Sequence, residues 1–214
     1  AAASQLYGFN STGIIRGEEP AELSSTLASV KELGMKLVFS SREQYREKYI
    51  SPKLLSAEDY LIPEGGYGEK GAKGAATILE HCPNDFTHYC CAVGTGTMMA
   101  GLINATSIPA ILRGLLGQAP QSKQVIGISV LKNNSDLEQM ISGLVTDKAP
   151  SSSGNSRRWQ LITDHHFGGY AKYQPELVDF MNEFYRKTGI PTDFVYTGKL
   201  FYAVSRLVSE NFFP

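Results

Sequence analysis

Along this chain short apolar runs alternate with longer segments in which apolar residues recur every three or four positions. Residues 13–17, 35–39, 60–63, 89–93, 124–130 and 159–163 read as strands. Between them the spacing predicts helices over 20–33, 41–48, 71–81, from 97 onward, to about 116 after a break at 107–109, and over 135–145, 175–189 and 199–209. The punctuation agrees. Gly34 closes the stripe of Leu23, Leu27, Val30 and Leu33, Ser41 and Ser135 stand as N-caps, and Pro175 takes a first helical turn. Residues 1–8 read as the last turns of a helix with Gly8 as its C-cap. Residues 148–157, rich in Ser with Pro150 and Gly154, read as an exposed, mobile loop. Strands alternating with helices predict an α/β fold on a parallel sheet.

The densest chemistry lies where the run at 89–93 meets Gly94-Thr95-Gly96-Thr97 and then a helical segment. A strand, a Gly/Thr turn and a helix N-terminus make an anion site: small residues admit a phosphate to the backbone N–H groups, and the helix end carries partial positive charge. The hydroxyls of Thr95 and Thr97 add donors. The other reading, that the glycines serve only the turn geometry, stays open. Gly65-Gly66, Gly168-Gly169 and Gly198 likewise follow predicted strands. In a parallel sheet the strand C-termini share one edge, so four such turns point to one large ligand. The dinucleotide fingerprint Gly-x-Gly-x-x-Gly and the Walker Gly-Lys-Ser/Thr are both missing, which favours a phosphate-bearing cofactor held in another way.

Composition narrows the classes. A chain of 214 residues makes one large α/β domain or two small ones. With net charge −1 and no basic block, no nucleic-acid partner is expected. No apolar run has the length of a membrane span and no signal peptide is visible, so the expectation is a cytoplasmic protein without a membrane partner. Cys82, Cys90 and Cys91 read as core residues of a reducing compartment. No metal is expected: His165 and His166 are adjacent and point to opposite sides of an extended segment, and His81 and His88 form no zinc pattern with the cysteines beside them.

Four ordered stretches resemble the motifs of one family. They are Tyr60-Leu61-Ile62-Pro63-Glu64-Gly65-Gly66, Gly94-Thr95-Gly96-Thr97-Met98-Met99-Ala100-Gly101, His166-Phe167-Gly168-Gly169-Tyr170-Ala171 and Asp193-Phe194-Val195-Tyr196-Thr197-Gly198-Lys199. The family is that of 1-aminocyclopropane-1-carboxylate deaminase and D-cysteine desulfhydrase, among the tryptophan-synthase-β-like (fold-type II) pyridoxal-phosphate enzymes. The resemblance implies a two-domain open parallel-sheet enzyme, with residues 1–50 in the smaller domain, 51–214 in the larger, and pyridoxal 5′-phosphate held between them. Gly94, Thr95, Gly96, Thr97 and Met98 would cradle its phosphate. Tyr170 and Tyr196 match tyrosines lining the substrate side, and Thr197 takes the position facing the pyridine nitrogen.

That last position separates reactions within the family. True cyclopropane deaminases are similar in this motif but carry Glu there, whose carboxylate keeps the ring a strong electron sink. A neutral hydroxyl supports the ring less and suits loss of a good β leaving group. The expected activity is therefore conversion of D-cysteine to pyruvate, ammonia and hydrogen sulfide, with cyclopropane deamination as the alternative and a silent binding homologue as the alternative of another class. The partner is a small amino acid, and the family implies a homodimer. It also implies a cofactor lysine upstream of Ala1 and a further motif downstream of Pro214, so the chain is expected to be truncated at both ends and inactive alone. Lys70, Lys73 and Lys172 do not match the lysine's position. Tyr67-Gly68 departs from the Ser-Asn-like pair that follows the first motif in the family.

Overall fold

A computed structural model describes residues 1–47, 49–83, 85–106, 123–132, 135–146 and 158–213. The chain divides into two compact units, Ala1–Leu61 and Ile62–Pro214.

In the first unit, α1 (Ala2–Tyr7) ends as expected at Gly8, whose φ of 72° is the left-handed cap that glycine adopts without strain. Strands β1 (Thr12–Arg16) and β2 (Lys36–Ser40) pair in parallel, with Thr12 opposite Lys36. The connecting helix α2 (Ser25–Glu32) starts later than the spacing suggested. The Ser24 side chain, not Pro20, opens it by accepting the Leu27 N–H, which leaves Leu23 outside. Helix α3 (Arg42–Arg46) carries a full capping box: the Gln44 N–H donates to Ser41 Oγ, and the Ser41 N–H donates back to Gln44 Oε1.

Residues 60–63, read as a strand, join no sheet among the described residues. Tyr60, Leu61 and Ile62 are 50–68% exposed, and Pro63 has no N–H to give a ladder. No described strand forms a ladder with this apolar run.

The second unit begins with a 3₁₀ turn at Glu64–Gly66 and helix α4 (Glu69–Ala76), which tightens into a 3₁₀ segment at Thr77–His81. There follow β3 (His88–Val93), α5 (Thr97–Thr106), β4 (Gln124–Ser129), α6 (Leu137–Leu144), β5 (Trp159–Ile162), α7 (Pro175–Thr188) and α8 (Thr197–Ser209). Helix α6 starts two residues after the expected cap, because Ser135 Oγ donates to Asp136 Oδ1 and caps nothing. The expected short helix to 116 and the loop at 148–157 lie outside the described residues.

The sheet runs β3-β4-β5, parallel throughout, with His88 opposite Gln124 and Val125 opposite Trp159. β4 is central and buried from Val125 to Ser129, as a strand covered on both faces must be. Alternation divides the core. Cys91, Val93 and Val125 pack with Met99, Ile103, Leu137 and Ile141, while Ile126 and Ile128 pack with Ala203 and Leu207 of α8. Each buried aliphatic side chain contributes roughly 1.5–3 kcal/mol, so this αβα layering fixes the sheet's C-terminal edge firmly. Among the described residues no helix is long and apolar enough to cross a membrane.

Candidate functional site

β3 delivers the chain to that edge at Val93, and Gly94, Thr95 and Gly96 carry it into α5. The first N–H groups of α5 have no acceptor within the helix, so a ligand on this side meets donors and the positive helix end. Thr95 Oγ1 and Thr97 Oγ1 lie 3.0 Å apart in a hydrogen bond, Thr97 buried and Thr95 half-buried. The Met98 side chain is 38% exposed. What Met98 offers the loop is its main-chain N–H.

The glycines around this loop do different work. A Cβ on Gly65 would stand 2.6 Å from Thr95 Cγ2, and one on Gly71 would stand 2.0 Å from the Gly66 oxygen and 2.9 Å from Thr97 Cγ2. Glycine there lets residues 64–71 close onto the loop. Gly96, at φ 83°, would push a Cβ to 2.6 Å from Ile141 Cγ1, so its lack of a side chain serves the core. Gly94 alone of the loop's two glycines faces a site residue, with the Tyr196 ring 3.5 Å from where its Cβ would be.

Tyr196 is placed by a cap that the motif's first residue builds. Asp193 Oδ1 accepts the N–H groups of Val195 (2.8 Å) and Tyr196 (2.7 Å), and Oδ2 accepts the Thr197 N–H (3.1 Å). The Thr197 hydroxyl donates to Oδ2 at 2.5 Å and accepts the Asp193 N–H at 2.8 Å. Partial burial raises the Asp193 pKa, but the Thr197 hydroxyl and the three N–H donors outweigh it and hold the carboxyl below the ordinary Asp value. Helix α8 therefore begins at Thr197, two residues earlier than the spacing indicated, and Gly198 sits inside it. Of the four glycine turns, only those at 94–96 and 168–169 follow strands.

The Tyr170 and Tyr196 rings meet edge to face, centroids 5.9 Å apart. Burial first, then the Tyr170 hydroxyl and the carboxylates of Glu64 and Asp193, push the Tyr196 phenol up to about 12. At neutral pH this phenol keeps its proton. Gly94, Tyr196, Tyr170 and Thr197 are thus brought together from three separate stretches of sequence.

Lys199 closes the fourth motif. It is fully buried, and its Nζ donates to the Gly169 carbonyl at 2.7 Å. Its signal was present in the spacing: Lys199, Ala203 and Leu207 fall four apart on the buried face of α8.

His165 and His166 lead into the turn that carries Tyr170. His165 packs on the Tyr202 ring and His166 Nδ1 accepts the Gly168 N–H. Among the described residues no three His, Cys, Asp or Glu side chains converge on a metal position. Burial pushes the Cys90 thiol up to about 11, and burial with the neighbouring Cys90 pushes Cys91 up to about 12.

With this geometry the chain can be compared with known proteins. No family model matches it. A protein of Pyrococcus horikoshii named "Putative 1-aminocyclopropane-1-carboxylate deaminase" is 24% identical over 98% of this chain and 64% of its own length. One of the same name from Pyrococcus furiosus is 25% identical over 98% of this chain and 64% of its own length. A crystal structure of an "ACC deaminase homologue" superposes with a TM-score of 0.74 at 24% identity, over 97% of this chain and 64% of that one. The resemblance read in the four motifs holds. The fold is the α/β fold of that deaminase homologue, and the chain spans 64% of the length of the relatives it matches.

Proposed function

We propose that the protein is a pyridoxal-phosphate-dependent enzyme that deaminates a small amino acid by elimination, with D-cysteine as the preferred substrate class. The observation that carries the reading is the Gly/Thr loop at the start of α5 with the Tyr196 ring seated over Gly94. The residues fit the cofactor: donors, small side chains and a helix end for its phosphate, and aromatic walls beside them. Gly94, Thr95, Gly96, Thr97 and Met98 would hold the phosphate through main-chain N–H groups and the two hydroxyls. When bound, pyridoxal phosphate supplies an electron sink for the charge left at Cα on loss of a proton.

The chain's own residues define the rest. Tyr196, protonated at neutral pH, donates a hydrogen bond or a proton on the substrate side; it does not act as a base. Tyr170 forms the second wall. Thr197 faces the ring nitrogen in this reading, but its proton is committed to Asp193. Toward a ring nitrogen it offers a lone pair, with the Asp193 carboxylate directly behind it. This weaker support suits departure of thiolate, giving pyruvate, ammonia and hydrogen sulfide from D-cysteine and water. The relatives' names favour the second reading, deamination of 1-aminocyclopropane-1-carboxylate to 2-oxobutyrate and ammonia.

The two separate by product. Given both substrates, the intact protein is expected to release sulfide from D-cysteine faster than 2-oxobutyrate from the cyclopropane. Faster 2-oxobutyrate would establish the second reading. Neither product, with cofactor bound, would make the protein a silent binding homologue.

A further inference from the structure

The turn that carries Tyr170 is held in a conformation its own sequence does not favour. Phe167 (φ 52°), Gly168 (96°), Gly169 (114°) and Ala171 (54°) all lie in the left-handed region. For Phe and Ala that region is rarely occupied and persists only where the surroundings impose it. Within the turn, the Gly169 N–H donates to the His166 oxygen at 3.0 Å and the Lys172 N–H donates to the Gly169 oxygen at 3.1 Å. A Cβ on Gly169 would stand 3.3 Å from Lys132 Cβ, so the turn lies against the segment leaving β4. Among the described residues, α8 reaches the turn through the Tyr202 ring, edge to face with Phe167, and through Lys199 Nζ, which donates to the Gly169 carbonyl at 2.7 Å in a buried contact.

We propose that Lys199 is a positioning residue: by gripping the Gly169 carbonyl from the first turn of α8, it holds the strained 167–171 turn so that Tyr170 stands against Tyr196. One rigid helix turn then carries Tyr196 and Thr197 directly and Tyr170 through this bond. A buried ammonium without partners would be costly, whereas a charge-assisted hydrogen bond in a dry environment is strong. Burial lowers the Lys199 pKa and the Asp193 carboxylate partly restores it. The consequence for substrate rests on the reading of Tyr170 and Tyr196 as substrate-side residues; the positioning itself does not.

The test uses oxidative tyrosine cross-linking of the whole chain, mapped by mass spectrometry, with no cofactor present. The unsubstituted chain is expected to give a Tyr170–Tyr196 linkage. Lys199→Met should lower its yield at least fivefold, while Ala203→Gly, a lesion on the same buried face of α8, should leave it within twofold. An undiminished linkage in folded Lys199→Met overturns the proposal. If that variant does not fold, the through-hydrogen-bond coupling between Lys199 Nζ and the Gly169 carbonyl carbon in the isotope-labelled chain decides: its presence supports the grip and its absence overturns it. Binding of pyridoxamine 5′-phosphate, measured separately, tests the cofactor reading, so either claim can fail alone.

Discussion

Gly94 and Gly96 lie two positions apart and have opposite roles. A Cβ on Gly96 would meet Ile141, not a ligand in the loop, and Gly96 holds a φ of 83° that other residues resist. Gly96→Ala is expected to cost about 1–3 kcal/mol in urea denaturation. Gly94→Ala, whose Cβ meets only the Tyr196 ring at ordinary contact distance, should cost less than about 0.5 kcal/mol yet weaken phosphate-ligand binding. Equal losses of stability in both would refute the division. Thiol chemistry gives a second residue-scale outcome. Thiolate is the reactive form, so with Cys90 at about 11 and Cys91 at about 12, a thiol reagent at pH 8 should leave both largely unmodified in the folded chain, and rapid labelling of either would contradict their burial. The loop itself was legible in the sequence as a strand-to-helix turn, because glycine and threonine interrupt the apolar run there, but whether its glycines served a ligand or only the turn was not. Which way each Cβ points depends on Ile141, 45 positions away from Gly96, and no local pattern carries that.

At the scale of elements, the Asp193–Thr197 cap decides where α8 begins. Spacing placed the start at Lys199 because the apolar stripe begins there; the hydrogen bonds that wind two further residues into the helix come from a carboxylate outside the stripe. Thr197→Val, which removes both hydroxyl bonds and keeps the shape, should cost on the order of 1 kcal/mol in urea denaturation and loosen Tyr196. The pH dependence follows from the sign of the Asp193 shift. Its pKa is depressed on folding, so its contribution is complete above the ordinary value of 3.8 and is lost as the pH falls through the lower native value. The stability difference between the chain and Asp193→Asn should therefore shrink as the pH drops below 3.8, and a difference that grows instead would contradict the cap. Residues 60–63 show the opposite error: their composition is that of a strand, but a strand exists only with a neighbour, and Pro63 removes a donor where one would be needed.

At the scale of the molecule, every residue assigned to the site lies in the unit Ile62–Pro214. The alternation of strands and helices and the parallel sheet were readable, because each follows from local periodicity, whereas the order of the motifs was readable only through the family resemblance. The ligand's identity was not legible in the residues by themselves: a glycine-lined helix N-terminus accepts many phosphates, and pyridoxal phosphate is what the family resemblance implies. The most direct test is calorimetric titration of the chain with pyridoxamine 5′-phosphate, which has the cofactor's ring and phosphate but no aldehyde to react with lysines. A single site, weakened at least tenfold by Gly94→Ala and undetectable with pyridoxamine lacking the phosphate, is the predicted result. Absence of binding, or equal affinity for the two compounds, would contradict the assignment of residues 94–98 as a phosphate cradle.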